Sequence, residues 1–147
     1  MQIRCTINQK PYCIECESDE RVLDVIRGLG VHSVKKGCGE GECGACSLFF
    51  NGKLINSCLL LAPQMQDAEI ITLEGMQKET EKIRKNFAKE GAVQCGFCTP
   101  GFVMRAYDYI DKDGTKDEKH LKESLDGNIC RCTGYQKIVE AILKSIP

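Results

Sequence analysis

Gly37-Cys38-Gly39-Glu40-Gly41-Glu42-Cys43-Gly44-Ala45-Cys46 is the stretch on which the fold turns, because it packs three cysteines and four glycines into ten residues. A fourth cysteine, Cys58, follows two short runs, Ser47 to Phe50 and Lys53 to Asn56, that flank Asn51-Gly52. That dipeptide suits the positive φ angles of a tight hairpin turn. A strand out and a strand back therefore return Cys58 to the neighbourhood of the loop. Thiolates gathered on metal are anionic and need backbone N–H groups aimed at the sulfurs while the chain wraps closely, and the four glycines supply that freedom.

The spacing Cys38-x4-Cys43-x2-Cys46-x11-Cys58 is that of a plant-type ferredoxin holding a 2Fe–2S cluster. Four thiolates also suit a structural zinc, but zinc sites usually pair their cysteines as two close couples rather than spreading them along one loop. Unrelated buried thiols are the remaining alternative.

Outward from the loop, residues 1–75 read as a mixed α+β unit. Ile3, Cys5 and Ile7 alternate with polar neighbours, as in a half-buried strand; Gln9-Lys10-Pro11 then turns the chain, and Tyr12, Ile14 and Cys16 mark the buried face of a returning strand. Ser18 or Asp19 is placed to cap a helix carrying Val22, Leu23, Val25, Ile26 and Leu29 toward a core, with Gly28 and Gly30 helping to end it. A last strand is expected at Ile70 to Leu73. From 76 to 147 helix signals replace strand signals: Thr80 to Glu90 before Gly91, an N-cap and N1 proline at Thr99-Pro100, Asp117 to Leu125 before Gly127, and Tyr135 to Ile146.

The whole chain has 147 residues, 11 cysteines and a net charge of −1. Two small domains of this size bury little surface, so something besides apolar packing is expected to help hold them. Disulfides fit poorly, because the N-terminus carries no apolar run of signal-peptide length; a cytoplasmic setting, in which cysteines serve as metal ligands, is the expectation. No stretch approaches the roughly 20 apolar residues needed to span a bilayer. The charge balance likewise offers no basic surplus for nucleic acid or an anionic membrane.

Cys95-x2-Cys98 and Cys130-x-Cys132 form a second set of four, each couple lying just before a predicted helix. Helix N-termini suit an anionic site, since their free N–H groups and positive dipole end face it. Read alone, this set fits a four-thiolate zinc site equally well.

Three segments, Gly37 to Cys46, Gln94-Cys95-Gly96-Phe97-Cys98-Thr99-Pro100-Gly101 and Gly127-Asn128-Ile129-Cys130-Arg131-Cys132-Thr133-Gly134-Tyr135, together resemble the molybdenum hydroxylase family, that of xanthine dehydrogenase and aldehyde oxidoreductase. The resemblance spans nearly the whole chain. It implies a β-grasp ferredoxin domain over 1–75 and an all-α four-helix bundle over 76–147, each with one 2Fe–2S cluster: Cys38, Cys43, Cys46 and Cys58 hold the first, and Cys95, Cys98, Cys130 and Cys132 the second. It also implies a small subunit of an oxidoreductase, with the molybdopterin-type molybdenum cofactor on a large subunit and FAD on a medium one. Electrons would run from molybdenum through the bundle cluster and the ferredoxin cluster to flavin, with no catalytic residue on this chain. Gln94 carries over as a hydrogen-bond partner of the pterin, and Cys132 as the ligand closest to it. A purine such as xanthine is the expected substrate, with nicotinate, an aldehyde or carbon monoxide as alternatives, and a free-standing ferredoxin as the rival from another class.

Cys5 and Cys16 read as small core residues and Cys13 as a semi-exposed thiol, because positions three apart on a strand point to opposite faces. His32 and His120 read as surface residues. Lys35, Lys36 and Arg131 flank ligand cysteines and either offset cluster charge or are plain solvated charges. Phe97 and Tyr135 either shield the bundle cluster or simply pack.

Overall fold

The computed structural model describes residues 1–147. The chain forms β1 (Gln2–Ile7), β2 (Lys10–Glu15), α1 (Val22–Gly28), β3 (Ser47–Phe50), β4 (Lys53–Asn56) and β5 (Glu69–Ile71), then α2 (Glu81–Lys89), α3 (Thr99–Lys112), α4 (Glu118–Ser124) and α5 (Gln136–Ser145). It is an α+β architecture, a five-stranded sheet in the order β2-β1-β5-β3-β4 followed by four helices. β5 runs parallel to β1 and antiparallel to β3, so it joins two hairpins that do not otherwise pair.

Ile3, Cys5, Ile7 and Ile14 face one side of the sheet and bury against Val22, Leu23, Val25 and Ile26 of α1, which gives the first domain its core. The Asn51-Gly52 turn closes β3 on β4 with both residues at positive φ, as the dipeptide required. The first hairpin differs from its expectation. Asn8 and Gln9 take the positive φ angles and form the turn, while Lys10 and Pro11 already belong to β2. Pro11 is tolerated there because β2 is an edge strand, where no neighbour needs the missing N–H.

Helix α1 is not capped by Ser18 or Asp19. Its N-cap is Arg21, with no side-chain cap, and the Val22 N–H donates instead to the Leu60 carbonyl at 2.9 Å. Leu29 is 38% exposed and lies outside the core. The last strand is shifted to Glu69–Ile71, because Leu73 enters a short 3₁₀ turn with Glu74 and Gly75.

In the bundle, Phe87, Phe102, Leu121, Ile138, Val139 and Ile142 form a second core, while Leu143 is only partly buried against it. Asp117 caps α4 through its carboxylate, which accepts from the Lys119 and His120 N–H groups. At α3 the cap is Cys98 rather than Thr99: the Cys98 carbonyl accepts from the Phe102 N–H at 3.1 Å, so the helix starts one residue early and Pro100 takes its second position. A small third cluster of Phe49, Met76 and Met104 joins the domains, with the Tyr107 ring meeting Phe49 edge-on at 6.0 Å.

Candidate metal centres

The loop between α1 and β3 curls through Gly39, Gly41 and Gly44, all at positive φ. The curl aims backbone N–H groups at sulfur. Cys38 Sγ accepts from the N–H groups of Glu40 (3.3 Å), Glu42 (3.4 Å) and Cys43 (3.4 Å), and Cys43 Sγ accepts from the Cys38 N–H at 3.4 Å. These donors, that of Glu40 first, hold the Cys38 pKa down to about 6. From outside, Arg21 Nη1 donates to the Gly39 carbonyl at 2.6 Å and Asn56 Nδ2 to the Gly41 carbonyl at 2.9 Å. A Cβ at Gly37 would lie 2.7 Å from Cys43 Sγ, so the sulfur occupies the place a side chain would need.

Cys46 and Cys58 complete this set from inside the core. Both are buried, their side chains are neighbours, and the Ser57 N–H and Oγ both donate to the Cys46 carbonyl, tying the two segments together. Burial, followed by Cys46, pushes the Cys58 thiol up to about 11.

The second set is drawn from two segments. Cys95 and Cys98 precede α3, whereas Cys130 and Cys132 precede α5. Cys130 Sγ accepts from the Thr133 N–H (3.3 Å) and Oγ1 (3.1 Å), and the Cys130 N–H donates to the Tyr135 hydroxyl at 3.1 Å. Burial works to raise the Cys130 pKa, but the Thr133 donors outweigh it and hold the thiol below its ordinary value. Burial pushes Cys98 up to about 12. Tyr135, a non-glycine residue at φ 71°, begins α5 in a left-handed conformation that bulky side chains rarely adopt.

Within each set the thiols meet two by two: Cys38 with Cys43 and Cys46 with Cys58, then Cys98 with Cys130 and Cys95 with Cys132. Nowhere do three cysteine, histidine or carboxylate side chains gather closely enough to hold one metal ion. Two pairs per site suits the donor layout of a two-iron cluster, in which each iron takes two thiolates. The glycine cradle and the sulfur-directed N–H groups fit the same group.

Sequence reasoning missed the seam between the two sets. The Ile129 N–H donates to the Cys43 carbonyl at 3.0 Å, and Asn128 Nδ2 reaches the Gly44 carbonyl at 3.5 Å while its buried Oδ1 has no partner. Glycines permit this approach: a Cβ on Gly44 would lie 2.4 Å from both Asn128 Nδ2 and the Gly127 carbonyl, and one on Gly101 2.3 Å from the Gly44 carbonyl. Gln94 is exposed and its amide makes no hydrogen bond within the chain. Cys132 is exposed too. Cys5 and Cys16 are buried and Cys13 exposed, as the alternation required. His32 is exposed, His120 pairs with Asp113, and Lys36 forms an ion pair with Asp24 at 2.7 Å.

The fold and paired thiols define a protein with two iron–sulfur domains, and comparison agrees: the 2Fe-2S iron-sulfur cluster binding domain family matches residues 5–70, and the [2Fe-2S] binding domain family matches 72–143. The "Nicotinate dehydrogenase small FeS subunit" of Eubacterium barkeri is 41% identical over 143 residues, covering 95% of this chain and 91% of that protein. The "Xanthine dehydrogenase iron-sulfur-binding subunit" of Escherichia coli O157:H7 is 43% identical over 145 residues, covering 96% and 91%. Among solved structures, quinoline 2-oxidoreductase from Pseudomonas putida 86 superposes with a TM-score of 0.91 at 34% identity, over 99% of this chain and 93% of that one. Aldehyde oxidoreductase from Desulfovibrio desulfuricans gives 0.90 at 31% identity, over 99% of this chain but 17% of that one. The chain belongs to the molybdenum hydroxylase family, as a small iron–sulfur subunit with two 2Fe–2S domains.

Proposed function

We propose that this chain carries electrons one at a time from a molybdopterin site on a large subunit to FAD on a medium subunit, with the domain boundary after Gly75. Cys95, Cys98, Cys130 and Cys132 hold the first carrier reached, and Cys38, Cys43, Cys46 and Cys58 the second. The observation that supports this reading is the seam: the Cys43 carbonyl accepts directly from the N–H of Ile129, the residue before Cys130, so the two cysteine sets lie beside one another. The clusters supply one-electron steps; the protein supplies thiolates, N–H donors and a fixed separation. Gln94 and Cys132, both exposed, present the bundle site to the pterin. No residue of this chain makes or breaks a substrate bond.

The substrate of the assembled enzyme is a nitrogen-containing aromatic ring, with a purine such as xanthine first. Relatives named for xanthine, nicotinate and nicotine, together with a structural neighbour named for quinoline, support that class. Nicotinate is the second reading, carried by a relative nearly as similar as the xanthine one. The setting is cytoplasmic, where thiols stay reduced; no helix is long and apolar enough to cross a membrane.

The Gln94→Ala variant tests the partner assignment. An exposed amide without an internal hydrogen bond contributes at most about 1 kcal/mol, so both clusters and the fold should survive. Molybdenum-cofactor content or turnover with xanthine in the reconstituted complex should fall. Unchanged cofactor content and turnover at full cluster occupancy would remove Gln94 from the pterin site.

A further inference from the structure

Phe97 sits between Cys95 and Cys98 but is not part of the bundle's packing. Phe87 and Phe102 are each 1% exposed in the second core, whereas Phe97 is 45% exposed, belongs to none of the three apolar cores and stacks on no other ring. Its side chain is directed elsewhere. Phe97 lines a cavity of ≈ 270 Å³ together with Cys38 and Cys43 of the ferredoxin domain and Cys95, Cys98 and Cys132 of its own. The Phe97 Cε1 atom stands 3.8 Å from where a Cβ on Gly37 would lie, and that same point is 2.7 Å from Cys43 Sγ. One ring therefore adjoins ligand cysteines of both domains.

We infer that Phe97 is a shared shield, an apolar wall that limits water at both metal centres and so positions both reduction potentials, although it is carried by only one domain. The inference rests on the two ligand sets given above. Its physical basis is the charge of the sites. A 2Fe–2S cluster with four thiolates is anionic and gains one more negative charge on reduction, so water close by stabilises the reduced form while an apolar wall disfavours it. Solvent exposure is accordingly one of the levers that set these potentials. Glycine at position 37 matters here because any larger residue would occupy the space between the ring and Cys43.

Tyr135 provides the local comparator. Its hydroxyl accepts from the Cys130 N–H, and it does not line the shared cavity. The experiment uses the full chain, reconstituted with iron and sulfide, as unmodified protein and as Phe97→Ala, Phe97→Leu and Tyr135→Phe. Each is titrated redox-wise with both cluster signals followed by paramagnetic resonance, and iron release to a chelator is timed. The shield predicts that Phe97→Ala raises both potentials and speeds iron loss from both sites several-fold, that Phe97→Leu falls in between, and that Tyr135→Phe moves the bundle signal alone. If Phe97→Ala and Phe97→Leu leave the ferredoxin-domain signal in place and shift only the bundle signal, or shift neither, the shield is refuted. If the unmodified chain takes up fewer than two clusters, the ligand assignment fails first and takes the shield with it; iron content of that sample separates the two failures.

Discussion

The ferredoxin-type site draws three of its cysteines from one loop of ten residues and turns three N–H groups onto Cys38, while the bundle site draws two from each of two segments and relies on Thr133 to serve Cys130. One site comes from backbone freedom and the other from tertiary assembly. The first tolerates almost no change in its glycines and, apart from the sheet that anchors it, is built from its own loop and hairpin. The second exists only when α3 and α5 have packed, because its cysteines stand at their starts. The two centres therefore differ in what can destroy them, and they meet at the seam and at the cavity beside Phe97.

The largest test of that difference is Cys43→Ser, which removes a proposed ligand of the first site. The iron content should fall by half, with the bundle signal intact, and in the assembled enzyme substrate should still reduce molybdenum while flavin reduction stops. Rapid-mixing spectra check this. Loss of both clusters would show that the sites are not independent, and undiminished flavin reduction would overturn the order of carriers.

A smaller effect is expected from wedging the seam. In Gly101→Ala the new methyl would meet the Gly44 carbonyl at 2.3 Å, a backbone atom that cannot swing aside. Overpacking of this kind costs about 1–3 kcal/mol. A Gly28→Ala control meets nothing within 4 Å and should be neutral or stabilising by about 0.4–1 kcal/mol. Thermal unfolding compares the pair. Equal midpoints would mean that the domains are not held by this contact.

The smallest effect is confined to the bundle. Asp113 raises the His120 pKa, so the pair stabilises the α3–α4 connection fully below the ordinary histidine value of about 6.5 and loses that contribution as pH rises through the higher folded value. Both side chains are exposed, so the change is slight. Asp113→Asn should lower the His120 pKa in a proton-resonance titration and flatten the pH dependence of bundle unfolding. A His120 titration unmoved by this substitution would discard the pairing.

Local chemistry was legible in the sequence wherever it was self-contained. Asn51-Gly52 specified its hairpin, and Gly39, Gly41 and Gly44 their positive φ angles. What failed was set by distant partners. Ser18 and Asp19 lost the α1 cap to the Leu60 carbonyl, which no residue near position 20 announces. The first turn fell on Asn8-Gln9, since Pro11 could remain in an edge strand. Asn128 and Gly101 stood inside the quoted motifs, but nothing there announced their partner, Gly44, which lies far away in the chain and meets them only after both domains have folded.

The central position of β5 also orders events during synthesis. A lone hairpin is marginal in water, and β1–β2 and β3–β4 are joined in the sheet only through Glu69–Ile71. Until that short strand leaves the ribosome, the sheet beside the loop bearing Cys38, Cys43 and Cys46 is still two separate hairpins, linked by contacts such as the bond from the Val22 N–H to the Leu60 carbonyl. Domains form N-terminal first as the chain emerges, yet this one cannot close until the linker to its neighbour is about to appear. Metal uptake is then a late step: a nascent chain ending at Gln66 should bind no iron, and one ending at Gln77 should bind the first cluster alone.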